Sequence, residues 1–203
     1  MFGTQWYIRL GNWGFNLLLL NILWVLFSCI GLIIVGIFPA TAALFAVLRE
    51  LIMEDADTPV FKLFWSKFKA EFIQSNILGY IVILVGVVLY VDLRVLHQLD
   101  SGLLQLTLAS ITVVIGFAYL LILLYIFPVF VHFNLKLWQY PKHALILAIG
   151  RPFHTITLFA GIAIIILIYL AVPALIFAIG MSLISFIMMK VASMSLPRKN
   201  IAF

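Results

Sequence analysis

The chain has 203 residues, of which 66% are hydrophobic and only 9% are charged, and its formal net charge is +5. A soluble domain has about 45–50% apolar and roughly 25% charged residues, so this composition excludes an ordinary soluble protein. Lipid must cover most of the outside, and we predict an all-α polytopic membrane helix bundle. The length favours one domain, so we treat residues 1–203 as a single transmembrane domain.

Three membrane spans are predicted in the first two thirds of the chain, because a crossing needs about 20 predominantly apolar residues. The first runs from about residue 15 to 38 and stops at Pro39. The second covers about 77–96. The third covers about 103–133 and is long enough to tilt, to kink at Pro128 or to emerge into the interface.

The last apolar stretch, residues 155–189, is too long for one crossing at ~1.5 Å per residue. Pro173 lies in its middle. We predict two spans, 155–171 and 174–190, joined by a tight turn. A single kinked helix is the alternative, because proline does occur inside transmembrane helices.

The basic residues predict an orientation with the N-terminus outside and the C-terminus inside. Five spans then place ten of the twelve Lys and Arg on the inner side, as the positive-inside rule requires. Arg9 and Arg94 are the two left outside. The inner bases are Arg49, Lys62, Lys67, Lys69, Lys136, Lys142, Arg151, Lys190, Arg198 and Lys199.

An amphipathic helix is predicted on the inner surface at about residues 59–73, with Thr58 as N-cap and Pro59 at the first helical position. Its aromatic residues recur at helical spacing and share one face. This face either lies in the lipid headgroup region or docks on a partner protein. Its five candidate contact residues are Phe61, Phe64, Trp65, Phe68 and Phe72.

Two further features concern packing. Residues 140–152 predict a short apolar helix that is either interfacial, re-entrant or buried against the bundle. Ala174, Ala178 and Ser182 repeat every four residues and predict a close-packing stripe for another helix of this chain or of a second copy.

Polar residues inside the spans are few. Asp92 and Arg94 lie on different helix faces near the outer end, which favours snorkelling to the interface. Asn16 and Asn21 lie in the first span, where they could bond between helices. We found no basis for a catalytic site or a cofactor in the sequence.

The sequence does not favour a metal site, an enzyme or a nucleic-acid partner. Its four histidines are scattered and Cys29 is alone, so no metal-ligand spacing is present. No nucleotide-binding loop and no nucleophile elbow occurs. The bases are not clustered on a soluble module, which disfavours nucleic-acid binding.

Several segments together are similar to the YesL family of small bacterial membrane proteins. The resemblance covers nearly the whole chain in order, and it is specific as a set. The segments are residues 31–49 (GLIIVGIFPATAALFAVLR), the following acidic turn, residues 61–65 (FKLFW) through Phe72, Ser75-Asn76, residues 90–94 (YVDLR), residues 125–132 (YIFPVFVH) and residues 136–140 (KLWQY).

The resemblance implies a multi-pass protein of the bacterial plasma membrane without an established activity. Genes of this family often lie beside sugar ABC importers and glycan-degrading enzymes. It therefore suggests a non-enzymatic accessory to oligosaccharide import, with importer subunits as possible partners. An oligomeric channel or carrier for a small solute, or a membrane scaffold, is the alternative.

Overall fold

The computed structural model describes residues 5–53, 59–96, 98 and 102–196. These residues form eight α-helices: α1 Gln5–Ile30, α2 Ile37–Met53, α3 Val60–Ala70, α4 Phe72–Leu96, α5 Leu103–His132, α6 Gln139–Gly150, α7 Pro152–Ala171 and α8 Ala174–Ser195. No strand occurs among them. The predicted all-α class is confirmed.

Five helices are long and apolar enough to cross a membrane: residues 11–30 of α1, and α4, α5, α7 and α8. α7 ends at Ala171 and α8 begins at Ala174, so the last apolar stretch forms two helices joined by a short turn rather than one kinked helix. Pro128 lies inside α5. The protein is a polytopic helix bundle, and its orientation in the bilayer stays a prediction.

The first predicted span, residues 15–38, is wrong at its end. α1 stops at Ile30, and a turn formed by residues 31–36 leads into α2, which contains Pro39 in its first turn. Proline is tolerated there because the first N–H groups of a helix have no partner within the helix.

α2 is the helix that the sequence analysis missed, and it lies at the centre of the bundle. Every residue from Pro39 to Arg49 is buried. The helix contacts α1, α3, α4, α5 and α8. Small residues allow this crowding, since helix backbones approach closely where side chains are short. Ala40, Ala42 and Ala43 are fully buried.

The turn between α1 and α2 is tight. Leu32 and Ile33 have φ angles of 55° and 63°, a region that branched residues such as isoleucine rarely adopt. The Ile33 N–H donates to the Ser28 carbonyl at 2.8 Å, which holds the chain against the end of α1. Gly31 and Gly36 face each other so closely that a Cβ on Gly31 would collide with the Gly36 backbone.

α6 lies against α5 and turns sharply into α7 at Arg151. Its buried residues are Tyr140, Ala144 and Ala148. The Tyr140 hydroxyl accepts a hydrogen bond from the Leu135 N–H at 3.2 Å and lies 3.3 Å from the Phe133 carbonyl. Of the alternatives for residues 140–152, packing against the bundle is the one the contacts support.

We expect Gly36→Ala to destabilise the bundle by about 1–3 kcal/mol, the usual cost of forcing extra volume into a packed site. The new Cβ would lie 2.6 Å from the Ser28 carbonyl oxygen and 2.7 Å from that of Phe27. Gly14→Ala is the matched control, because nothing lies within 4 Å of its added Cβ. Thermal unfolding in detergent measures both variants, and equal melting temperatures would contradict the tight turn.

Candidate functional site

The α3 helix carries most of the predicted contact residues. It spans Val60–Ala70, and Pro59 at its N-cap position makes no side-chain capping bond. Thr58, the predicted N-cap, and the acidic turn before it lie outside the described residues. Lys67 and Lys69 lie in the last turn, where a positive charge is favourable to the helix dipole.

The inner face of α3, formed by Phe64 and Phe68, packs into the core, and we call it the anchor. Phe64 is 0% exposed and Phe68 is 7% exposed. Their ring centroids lie 5.2 and 5.0 Å from that of Phe27 on α1. The prediction that Phe64 and Phe68 contact a partner or the membrane surface is therefore wrong, because the aromatic stripe is wide enough to extend from the core to the surface.

The outer face of α3 consists of Phe61, Lys62, Trp65 and Lys69. Phe61 is 57% exposed and Trp65 is 41% exposed. The Lys69 Nζ lies 4.3 Å from the centroid of the Trp65 ring, in cation–π geometry. A surface of aromatic rings bordered by ammonium groups suits either lipid headgroups or a partner, so the predicted contact role of Phe61 and Trp65 stays a prediction.

Phe72, the fifth predicted contact residue, begins α4 and is partly buried. Its ring meets Phe68 edge-on at a centroid distance of 5.6 Å. Phe72 thus joins the anchor side of α3 to α4 rather than the outer face.

Charged groups fix α3 at its C-terminal end. The Lys67 Nζ lies 2.7 Å from a Glu50 carboxylate oxygen, which ties α3 to the end of α2. Partial burial raises the pKa of the neighbouring Glu71 carboxyl, and the positive charge of Lys67 lowers it in part. The Lys67 ammonium therefore forms an ion pair with Glu50 and also acts electrostatically on Glu71, at the junction of α2, α3 and α4.

A second polar site lies inside the bundle, where α8 is broken. Ile179 has non-helical angles (φ −139°, ψ 19°), so α8 kinks there, and side chains of other helices bond to the backbone around this point. The Asn21 Nδ2 donates to the Phe177 carbonyl at 2.8 Å. Its Oδ1 accepts from the Met181 N–H at 3.0 Å and from the Ser182 N–H at 3.4 Å.

Tyr169 of α7 also forms hydrogen bonds to the backbone of α8 at the break. Its hydroxyl lies 2.8 Å from the Gly180 carbonyl oxygen and 3.1 Å from that of Ile179. A cavity of about 530 Å³ adjoins the break, and Asn21 and Tyr169 are among its lining residues. The expectation that Asn21 bonds between helices is confirmed, whereas Tyr169 gave no signal in a continuous apolar run.

The break also changes the predicted small-residue stripe on α8. Ser182 is fully buried, but Ala174 is exposed and Ala178 is only partly buried. Because the helix turns at Ile179, the three residues do not share one packed face. Gly180 and Ser185 accompany Ser182 in the buried part of α8 instead.

Asp92 and Arg94 both have neighbours within the bundle. The Thr112 hydroxyl of α5 donates to an Asp92 carboxylate oxygen at 2.5 Å. The Arg94 Nε donates to the Tyr90 hydroxyl at 3.0 Å. Both residues are exposed, and Asp92 links α4 to α5 as well as facing outward.

A metal-binding group of three or more His, Cys, Asp or Glu side chains does not occur within the described ranges. His143 and His154 lie on α6 and α7, and His97 falls outside those ranges. Cys29 is an exposed free cysteine near the end of α1.

Comparison with known proteins gives relatives over most of the chain. The family model described as a protein of unknown function, DUF624, matches residues 17–93. The uncharacterized protein YteU of Bacillus subtilis (strain 168) is 35% identical over 184 residues, which cover 91% of this chain and 82% of YteU. The uncharacterized protein YesL of the same organism is 38% identical over 182 residues, 89% of this chain and 85% of YesL.

A further relative, the uncharacterized protein YesV of Bacillus subtilis (strain 168), is 31% identical over 170 residues, which cover 84% of this chain and 81% of YesV. No solved structure matches the chain.

We expect Phe64→Ala to lower the free energy of unfolding by about 3–5 kcal/mol, because it empties a fully buried site. Phe61→Ala, on the exposed face of the same helix, should change it by less than about 0.5 kcal/mol. Unfolding of the purified protein in mixed micelles measures both. A similar loss in the two variants would refute the division of α3 into an anchor and an outer face.

We expect Asn21→Leu to destabilise the bundle by about 2 kcal/mol, since it removes the side-chain partner of the Phe177 carbonyl and of the Met181 N–H at the α8 break. Asn16→Leu, five residues earlier on the same helix, is the control, and it should cost little. The same unfolding assay compares them. If Asn21→Leu were as stable as the wild type, the break would need another source of hydrogen bonds.

Proposed function

The chain belongs to the family of YesL, YteU and YesV, and from that premise we propose that it is a non-enzymatic accessory protein of carbohydrate import. It is an integral membrane protein, and its described residues include five apolar helices long enough to span a membrane. In the proposed role it contacts an ABC sugar importer through the α3 outer face. The family resemblance suggests the importer, and the shape of α3 suggests the means of contact.

One observation carries the proposal: α3 packs into the bundle by its inner face but keeps two partly exposed aromatic rings on its outer face. Burial of Phe64 and Phe68 and the ion pair between Lys67 and Glu50 hold the helix against the bundle. Phe61 and Trp65 remain 57% and 41% exposed. A preorganised aromatic surface loses little side-chain freedom on binding, which is why aromatic anchors dominate protein interfaces.

The basic groups on this face indicate the chemistry of the partner. Lys62 and Lys69 are exposed beside the two rings. A partner surface that combines an apolar pocket with acidic side chains at its rim would complement the outer face. An importer subunit at the same membrane surface could provide such a site.

We expect a photo-crosslinker in place of Phe61 to capture an importer subunit in native membranes of cells grown on an oligosaccharide. A crosslinker in place of Phe177, which is 85% exposed on α8, is the control and should capture lipid. The variant with Phe61→Ser and Trp65→Ser should weaken co-purification of that subunit at least tenfold, an effect typical of hot-spot residues, while Phe177→Ser should not. Lipid adducts alone at position 61 would refute the docking role and favour an interfacial scaffold.

A second candidate, a carrier for a small solute, has one observation in its favour. Transporter sites often form at broken membrane helices, where unwound backbone and a few polar side chains line a cavity. The α8 break, with Asn21 and Tyr169 beside a cavity of about 530 Å³, has this form. Solute flux into reconstituted liposomes, lost in Asn21→Leu and absent from empty liposomes, would favour the carrier over the accessory role.

A further inference from the structure

A small pocket lies where α6 turns into α7. The end of α5, the α6 helix and the end of α8 enclose about 250 Å³, well above the roughly 30 Å³ that one water molecule occupies in the liquid. We call it the corner pocket. Its walls are mostly apolar and include Val129, Phe133 and Leu147, and its polar lining residues are His143, Arg151 and Ser195.

The corner pocket contains a buried polar group without a partner. Ser195 is 9% exposed, and its Oγ makes no hydrogen bond to any described residue. A buried hydroxyl without a partner carries a desolvation cost that a bound acceptor would remove. Ser195 is a lining residue of the pocket, but its Oγ is covered by neighbouring atoms, so the hydroxyl meets an acceptor bound there only after the side chain rotates.

Two basic side chains line the same pocket. Arg151 is exposed, and its Nη1 donates to the Met194 carbonyl at 3.0 Å, which holds the guanidinium at the end of α8 while its other N–H groups can bind an anion. The His143 Nδ1 lies 2.9 Å from the Gln139 carbonyl oxygen and donates to it, so Nε2 is left for a second partner.

Asp and Glu side chains are absent from the half of the sequence that forms the pocket. All seven Asp and Glu of the chain occur at or before Asp100, whereas the remaining 103 residues contain six Lys and Arg. Those bases are Lys136, Lys142, Arg151, Lys190, Arg198 and Lys199. The second half of the protein is therefore rich in positive charge, and within the described residues Arg151 forms no ion pair with a carboxylate.

We propose that the corner pocket binds the phosphate headgroup of an anionic phospholipid, with the Arg151 guanidinium and the Ser195 hydroxyl as its donors. Basic pockets between membrane helices on the inner side are typical sites for such headgroups. Arginine is suited to this task because its planar fork can hold two phosphate oxygens.

The apolar walls favour a lipid over a soluble phosphate. Most of the lining is hydrocarbon, which a free anion would not use but the glycerol and first acyl carbons of a lipid would cover. Exposed apolar side chains also flank Arg151 in the sequence, since Ile149 and Phe153 are 62% and 81% exposed. An amphiphile can place its phosphate at the hydrogen-bond donors and its hydrocarbon against the apolar walls.

The test compares phosphatidylglycerol with phosphatidylcholine on the purified full chain. Native mass spectrometry should show retention of phosphatidylglycerol in preference to phosphatidylcholine by the wild type. Arg151→Gln should weaken that retention about tenfold, as expected for the loss of a charge-assisted phosphate contact. Arg94→Gln is the matched control, because Arg94 is also exposed but bonds to Tyr90 on α4.

Two additional variants keep the result interpretable if Arg151→Gln unfolds. Arg151→Lys retains the positive charge and should retain phosphatidylglycerol better than the Gln variant, and Ser195→Ala should weaken retention without removing charge. Equal retention by the wild type, Arg151→Gln and Ser195→Ala would overturn the proposal. Displacement of the lipid by millimolar inorganic phosphate alone would also overturn it, because the occupant would then be a soluble anion.

Discussion

The backbone of α8 leaves helical geometry at Ile179, in the interior of an apolar bundle, where unpaired N–H and C=O groups are costly. Asn21 of α1 bonds to groups on both sides of the break, and Tyr169 of α7 bonds to two carbonyls within it. Because Asn21 and Tyr169 come from opposite ends of the chain, their hydrogen bonds hold α1, α7 and α8 together. α2 is buried against two of these helices, α1 and α8.

Contacts with α1 and α5 explain the position of α2. The tight turn at Gly31–Gly36 brings α2 back against α1, where the Trp24 Nε1 donates to the Thr41 hydroxyl at 3.0 Å. Phe45 of α2 stacks on Phe127 of α5 at a centroid distance of 5.6 Å. The buried helix thus connects the break in α8 with α5, and its end holds α3 through Glu50 and Lys67. These contacts position α3, and with it the exposed rings of Phe61 and Trp65.

The two proposed sites depend on the same architecture in different ways. The outer face of α3 is presented by a helix whose other face is core, so its rings can bind without first becoming ordered. The corner pocket exists because α6 folds back on α5 before turning into α7, which brings Arg151 to the end of α8. Neither site requires a catalytic group, and both suit a protein that works by contact within the membrane.

The sequence by itself determined that this is an all-α membrane protein of the YesL family, because apolar runs of spanning length and the order of family segments are local features. It also indicated Asn21, since an amide within a span needs a partner. Only the tertiary structure decided that residues 37–53 form a buried helix, that Phe64 and Phe68 are core while Phe61 and Trp65 are surface, and that α8 breaks at Ile179. Those outcomes depend on which helices become neighbours. In a chain that is 66% hydrophobic, an apolar segment that faces lipid and one that faces other helices have the same kind of sequence.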